Sequence, residues 1–296
     1  SSDLSGGTAA IAATYVDDVF STWLYTGTGS TQTINNGIDL AGKGGLVWIK
    51  SRNTAGTSNT LFDTARGATK YLNSNATGTQ GTASDTLTSF GSSSFSLGAD
   101  SVQGYGDVND ASRTYASWTF RKAAKFFDVV TYTGTGSART IAHNLGSTPG
   151  CIIVKRTDTA GNWQVYHNGL TSAAYSIQLN LTNAQASATT VWNSTAPTSS
   201  VFSVGTDATV NASGGTYVAY LFAHDTSSTG LIQCGSFTQV SAGIDVTLGW
   251  EPQYILYKDI GSGGYDWQII DSMRGFTTST ADKLLQPNTS AAESSN

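Results

Sequence analysis

Glutamate is nearly missing from this 296-residue chain: of 20 acidic residues, only Glu251 and Glu293 are glutamates. Charge of either sign is sparse, at 12% of residues, while Gly, Ser and Thr abound. Such a composition is poor helix material and good strand-and-turn material. The net charge of −5 argues against nucleic acid as a partner, because such binding needs a basic face that releases counterions. No run of 18 apolar residues occurs, so no membrane insertion is expected. The two cysteines, Cys151 and Cys234, are too few for a disulfide framework and read as lone buried thiols. Three histidines, His143, His167 and His224, are singletons without metal-ligand spacing, so no metal or cofactor is expected. Neither a nucleophile elbow nor a phosphate-cradling loop is present. The close acidic pairs, Asp17-Asp18 and Asp107/Asp110, do not face each other across an evident cleft, as glycoside cleavage requires. The chain does not read as an enzyme.

What is there is repetition. Tyr25–Ser30 and Tyr132–Ser137 both read YTGTGS. After each comes an apolar run ending in lysine, Leu46 to Lys50 and Cys151 to Lys155. A third run, Tyr254 to Lys258, lacks the YTGTGS lead-in, and the three lysines lie 105 and 103 residues apart. That period marks an array of similar units. Twelve or thirteen residues after each lysine stands Asp63, His167 or Asp271, and Arg66-Gly67 and Arg274-Gly275 follow the two aspartates. Phe95-Ser96-Leu97-Gly98 answers Phe202-Ser203-Val204-Gly205. Aromatic strands, Tyr115 to Phe120 and Tyr217 to Phe222, close the first two copies, and the third shows no counterpart.

These intervals divide the chain into a lead-in (1–19), two β-sandwich repeats (20–125 and 126–227) and an incomplete third (228–296). Short, alternating strands punctuated by Gly, Asn and Thr predict an all-β protein of tandem jelly-roll or lectin-like sandwiches, each about 100 residues. Joints of a few residues predict a semi-rigid row of domains. A sheet without its last strand leaves an open edge, to be filled from beyond Asn296 or by another subunit.

The run from Phe127 to Gly134, then His143-Asn144-Leu145-Gly146 and Pro149-Gly150, resembles repeated domains of marine bacteriophage structural proteins. The Trp48-Ile49-Lys50 strand with Phe62-Asp63-Thr64-Ala65-Arg66-Gly67 adds to the likeness. The resemblance implies a tail-fibre or other virion-surface part, a homo-oligomer such as a trimer, contacts with other virion proteins and adhesion to a host-surface glycan. A capsid decoration or head-fibre protein, an extracellular filament built by strand donation, and a polysaccharide depolymerase are the alternatives. For strand donation, the apolar lead-in Ile11 to Phe20 is the expected donor.

Among individual residues, Lys50, Lys155 and Lys258 are the most repeated charges. Lys50 with Asp63, and Lys258 with Asp271, are expected to form cross-strand ion pairs, with His167 replacing the acid in the second copy. Arg66 and Arg274 are expected to lock their turns. Most aromatic residues recur at matched strand positions and read as core. Trp192 and Trp250 fall outside those positions and are the candidates for sugar stacking. Gly106 to Asp110 reads as a polar turn rather than a calcium loop, since no spaced glutamate accompanies it. Five Asn-X-Ser/Thr triplets, at Asn75, Asn180, Asn193, Asn211 and Asn288, are what chance provides in so Ser/Thr-rich a chain.

Overall fold

The computed structural model describes residues 14–101, 107–241, 243–276 and 282–295. The first unit runs α1 (Val16–Val19), β1 (Phe20–Thr26), β2 (Gln32–Ile34), α2 (Leu40–Lys43), β3 (Gly45–Ser51), β4 (Asn59–Asp63) and β5 (Lys70–Asn73). It continues through β6 (Gly81–Thr82), β7 (Leu87–Phe90), β8 (Phe95–Leu97) and β9 (Thr114–Arg121). Its large sheet has the order β1-β9-β3-β4-β5-β6, and a small sheet, β2-β8-β7, covers one face. Val47, Ile49, Phe62, Phe95 and Leu97 fill the space between the two sheets.

The second unit repeats this plan. It comprises β10 (Phe127–Thr133), β11 (Arg139–Ala142), β12 (Pro149–Arg156), β13 (Gln164–His167), β14 (Tyr175–Gln178), β15 (Ala186–Ser187), β16 (Val201–Val204), α3 (Ala208–Asn211) and β17 (Thr216–Ala223). The large sheet is β10-β17-β12-β13-β14-β15, and β11-β16 is the cover. The fold is thus all-β and sandwich-like, as composition predicts, with helix confined to single turns among the described residues. In each large sheet the aromatic strand that closes the unit in sequence, β9 or β17, is central in space. It lies between the first strand and the apolar strand that ends in lysine.

The third stretch forms less. Among the described residues it comprises β18 (Tyr254–Tyr257) paired with β19 (Gln268–Asp271), then β20 (Lys283–Leu284) with β21 (Ser294–Ser295). A bridge between Ile269 and Leu285 joins the two ladders. Residues 232–238, which would supply the first strand, are not in a sheet.

The units do not form a row. The faces of both large sheets turned away from their covers share one core with the third stretch. Trp48, Leu61, Trp118 and Phe120 meet Phe127, Ile153, Trp163 and Tyr220, and with them Trp267, Ile269 and Leu285. The physical reason is burial on two faces. β3 is buried along its whole length and β12 at all but its last residue. One face lies under the small sheet, and the other must find a partner in the neighbouring unit. β13 corrects a second expectation for the same reason, since Gln164, Val165 and Tyr166 are buried without alternation.

Candidate functional site

Strand register gives three equivalent sets of residues. Lys50 faces Asn59, Val154 faces Gln164 and Tyr257 faces Gln268, so Asn59, Trp163 and Trp267 correspond. Each reaches into a neighbouring unit. The indole N–H of Trp163 donates to the carbonyls of Asn73 (3.1 Å) and Ala76 (3.1 Å). That of Trp267 donates to Gln178 O at 3.0 Å, and the Asn59 amide donates to Gln286 O (3.0 Å) and Thr289 O (2.8 Å). Second leans on first, third on second, and first on third: the contacts close a ring. The backbone N–H of each of these residues donates to an asparagine of its own unit, Asn75, Asn180 or Asn288, at 2.8, 2.9 and 3.0 Å. Three of the five chance triplets are therefore structural.

The aspartate and arginine positions form the second ring. Arg66 Nε meets Asp63 Oδ2 at 2.5 Å and its guanidinium donates to Leu61 O at 3.0 Å, both side chains being buried. Arg274 repeats this on Asp271 (2.6 Å) and Ile269 O (2.9 Å). Each pair receives an aromatic donor from the closing strand of another unit. Tyr220 Oη donates to Asp63 Oδ2 at 2.8 Å, and Trp118 Nε1 donates to Asp271 Oδ2 at 2.9 Å. The turn-locking role expected of Arg66 and Arg274 is what the geometry contains, with an inter-unit bond added. Glu293 extends the second lock, accepting from both forks of Arg52 at 2.8 and 2.9 Å and lying 3.5 Å from Arg274.

The lysine–aspartate pairing is corrected. Asp63 faces Leu46, four positions from Lys50, which places the two side chains roughly 13 Å apart along the hairpin. Asp271 likewise faces Tyr254, at the far end of β18 from Lys258. Lys50 Nζ instead donates to Thr57 O (2.7 Å) and Thr57 Oγ1 (3.0 Å), and Lys155 Nζ to Arg156 O (2.7 Å) and Thr77 O (3.2 Å). Burial lowers both lysines to about 8. Lys258, at the half-open third sheet, donates to Asp259 O and is lowered by the same cause.

Trp192 is also corrected. It is 2% exposed and packs edge-on to Tyr166 at 6.1 Å, so no sugar can stack on it. Gly98 N donates to Thr86 O and Gly205 N to Val191 O, which makes Trp192 the counterpart of the buried Leu87. Turn residues plug the sandwich as strands do, and matching strands alone missed this one. Trp250, 37% exposed, keeps a free face.

The YTGTGS repeat has its own partner, which sequence reading missed. Buried Asn109 accepts from Thr28 N (3.0 Å) and donates to Ser30 O (2.7 Å) and Gly98 O (2.5 Å). Buried Asn211 does the same with Thr135 N (2.9 Å), Ser137 O (2.7 Å) and Gly205 O (2.6 Å). The segment read as a weak calcium loop is thus a clasp, with Asp107 and Asp110 both on Arg113 and Gly106 outside the described residues. The shared Asn six residues before the first tyrosine of the closing strand, Tyr115 or Tyr217, was the available signal.

One region is not closed. A cavity of about 900 Å³ opens between the first and third units. Phe20, Phe120, Phe126, Ile232, Trp250 and Tyr254 are among its walls. In the same third stretch Phe237, Val240, Ile244 and Val246 are exposed, whereas in the first two units Trp23 is the exposed large apolar side chain among the described residues. β18 is only half-buried at all four residues, against nearly complete burial of β3 and β12.

These features define a class: an all-β protein of sandwich units interlocked around one core, its repeated polar groups engaged in joints. A family model described as a domain of unknown function, DUF7483, matches residues 16–296, and the chain belongs to that family. No curated protein matches it.

Proposed function

We propose that this chain is a non-enzymatic structural protein of a bacteriophage virion surface, a component of a tail fibre or related host-adhesion part. One observation supports the reading above others. The charged residues that recur between units, Asp63, Arg66, Asp271 and Arg274, are buried in joints and are not presented to a substrate. An interlocked sheet assembly of this kind resists mechanical load through many antiparallel strand pairings that share it. The likeness of Phe127–Gly134 to virion repeats supports the location, and homo-oligomerisation and contacts with other virion proteins belong to the same proposal. Trp250 is the position left for a host glycan.

A second reading, an extracellular filament subunit, is favoured by the open third sheet. Its original donor does not suit it: α1 and Phe20 are folded into the first unit, where Val19 is fully buried. Ile11 to Ala13 lie outside the described residues.

Electron microscopy of the native particle with a labelled antibody tests the location. Label on tail or fibre is the expected outcome. Label over the head would replace it with a capsid decoration role, and label on free filaments with the second reading. A glycan array comparing the protein with Trp250→Ala tests adhesion: loss of a bound glycan in the variant is expected, and equal binding removes Trp250 from the role.

A further inference from the structure

The first two units specify what the third is missing. In both, the central strand carries Tyr-x-x-(Trp/Tyr)-x-Phe: Tyr115, Trp118 and Phe120 in β9, and Tyr217, Tyr220 and Phe222 in β17. Its first tyrosine stacks on a tyrosine of the first strand, Tyr25 on Tyr115 and Tyr132 on Tyr217, both at 5.0 Å. Its phenylalanine faces the start of the apolar strand, Phe120 against Leu46 and Phe222 against Cys151. In the third stretch, among the described residues, β18 and the segment 232–238 stand without a strand between them. Asp225 N donates to Ile232 O as Ala123 N does to Phe127 O, which aligns Ile232 with Phe127 and Phe237 with Tyr132. Tyr254 stands where Leu46 and Cys151 stand, facing Asp271 as they face Asp63 and His167.

The geometry points to a strand-acceptor site: the third sheet takes up an antiparallel β-strand of pattern Tyr-x-x-Tyr-x-Phe, supplied from outside residues 1–296, between residues 232–238 and β18. This inference does not depend on where the protein resides. The cavity is continuous with the aromatic cluster that already joins the units, because Phe20, Phe120 and Tyr254 belong to both, with Phe120 and Tyr254 rings 5.6 Å apart. Backbone groups on the free edge of β18 supply hydrogen bonds, as in other strand additions. Phe237, 55% exposed, supplies the stacking surface for the first tyrosine.

The middle aromatic of the donated strand is specified by the ring of locks. Tyr220 serves Asp63 and Trp118 serves Asp271, leaving His167 as the unserved third position. His167 Nδ1 accepts from Gly169 N at 2.9 Å, and burial, aided by nearby His224, lowers the ring to about 4. The neutral ring therefore carries its proton on Nε2 and needs an acceptor. A tyrosine hydroxyl accepts, whereas an indole cannot, so the donated strand resembles β17 more than β9.

The test adds a synthetic peptide, Thr-Tyr-Val-Ala-Tyr-Leu-Phe-Ala with solubilising lysines, to the 296-residue protein and reads hydrogen exchange. Expected is about tenfold slower exchange in Tyr254–Tyr257 and 232–238, with no such change from a scrambled peptide. Phe237→Ser, an exposed change that leaves unfolding temperature as it was, should weaken the effect. Replacing the middle tyrosine of the peptide by tryptophan should weaken it further. No protection at saturating peptide, or equal protection by the scrambled one, overturns the site. Full binding to Phe237→Ser overturns the stacking register, and full binding of the tryptophan peptide overturns the His167 contact. Protection of the same segments in the protein alone, growing with its concentration, overturns the proposed strand pattern in favour of a segment from a second copy of residues 1–296.

Discussion

At the residue scale, ionisable groups here serve joints, and their burial makes them measurable. Asp63 holds Arg66 through its side chain and backbone and accepts from Tyr220, all out of solvent. Asp63→Asn leaves the guanidinium buried without its counter-charge, a loss of about 3–5 kcal/mol. Thermal unfolding should fall by on the order of 10 °C, and an unchanged midpoint would show that the lock is dispensable. Lys50 and Lys155 provide a pH signature. In the fold burial holds them at about 8, against an ordinary 10.5 in the unfolded chain. Between those values the unfolded state binds more protons, so stability rises with pH; the penalty is fully present below about 8. Tyr25, Tyr132 and Tyr220 act oppositely, since burial raises them above 10 and their unfolded forms ionise first. Unfolding temperature should therefore climb from pH 8 to about 10 and then drop. A Lys50→Met, Lys155→Met double variant should lose the climb, and a flat wild-type profile would show both lysines charged in the fold.

At the element scale, the recurrent device is a turn clasped by a buried asparagine. Removing the Asn211 side chain leaves Thr135 N–H and Gly205 O without partners and takes one of two donors from Ser137 O, which costs about 2–4 kcal/mol. Asn109→Ala should cost a similar amount, and a denaturant titration compares them; losses under about 0.5 kcal/mol would mean that water takes over the contacts. The first glycine of the same motif is required by close approach rather than by conformation. A Cβ on Gly27 would meet Asp110 O at 2.2 Å, and one on Gly134 would meet Ala212 O at 2.2 Å. The apolar strand of each unit, β3 or β12, was legible from its composition. The role of the asparagine was not, because two of its three backbone partners lie more than seventy residues away.

At the scale of the whole molecule, the shared core couples what the sequence presents as separate repeats. Trp118, Tyr220 and Trp163 each bond a unit other than their own. Calorimetry should show one cooperative transition for the first two units, and Trp163→Ala should shift it as a whole. Two separated transitions would mean that each sandwich stands alone.

Strand content, the repeat period, the apolar strands and the Arg66 and Arg274 turns were determined by the sequence by itself. Alternation and turn chemistry act over a few residues, and the repeat displays them more than once. Only the tertiary structure decided which faces meet. Lys50 and Asp63 share a hairpin yet lie at opposite ends of it, and Trp192, a turn residue, is core because two sheets close over it. The ring of contacts was beyond sequence reading for a physical reason. Trp163 and Trp267 match in sequence, but Asn59 does the same job with a different side chain, and only strand register aligns it with them.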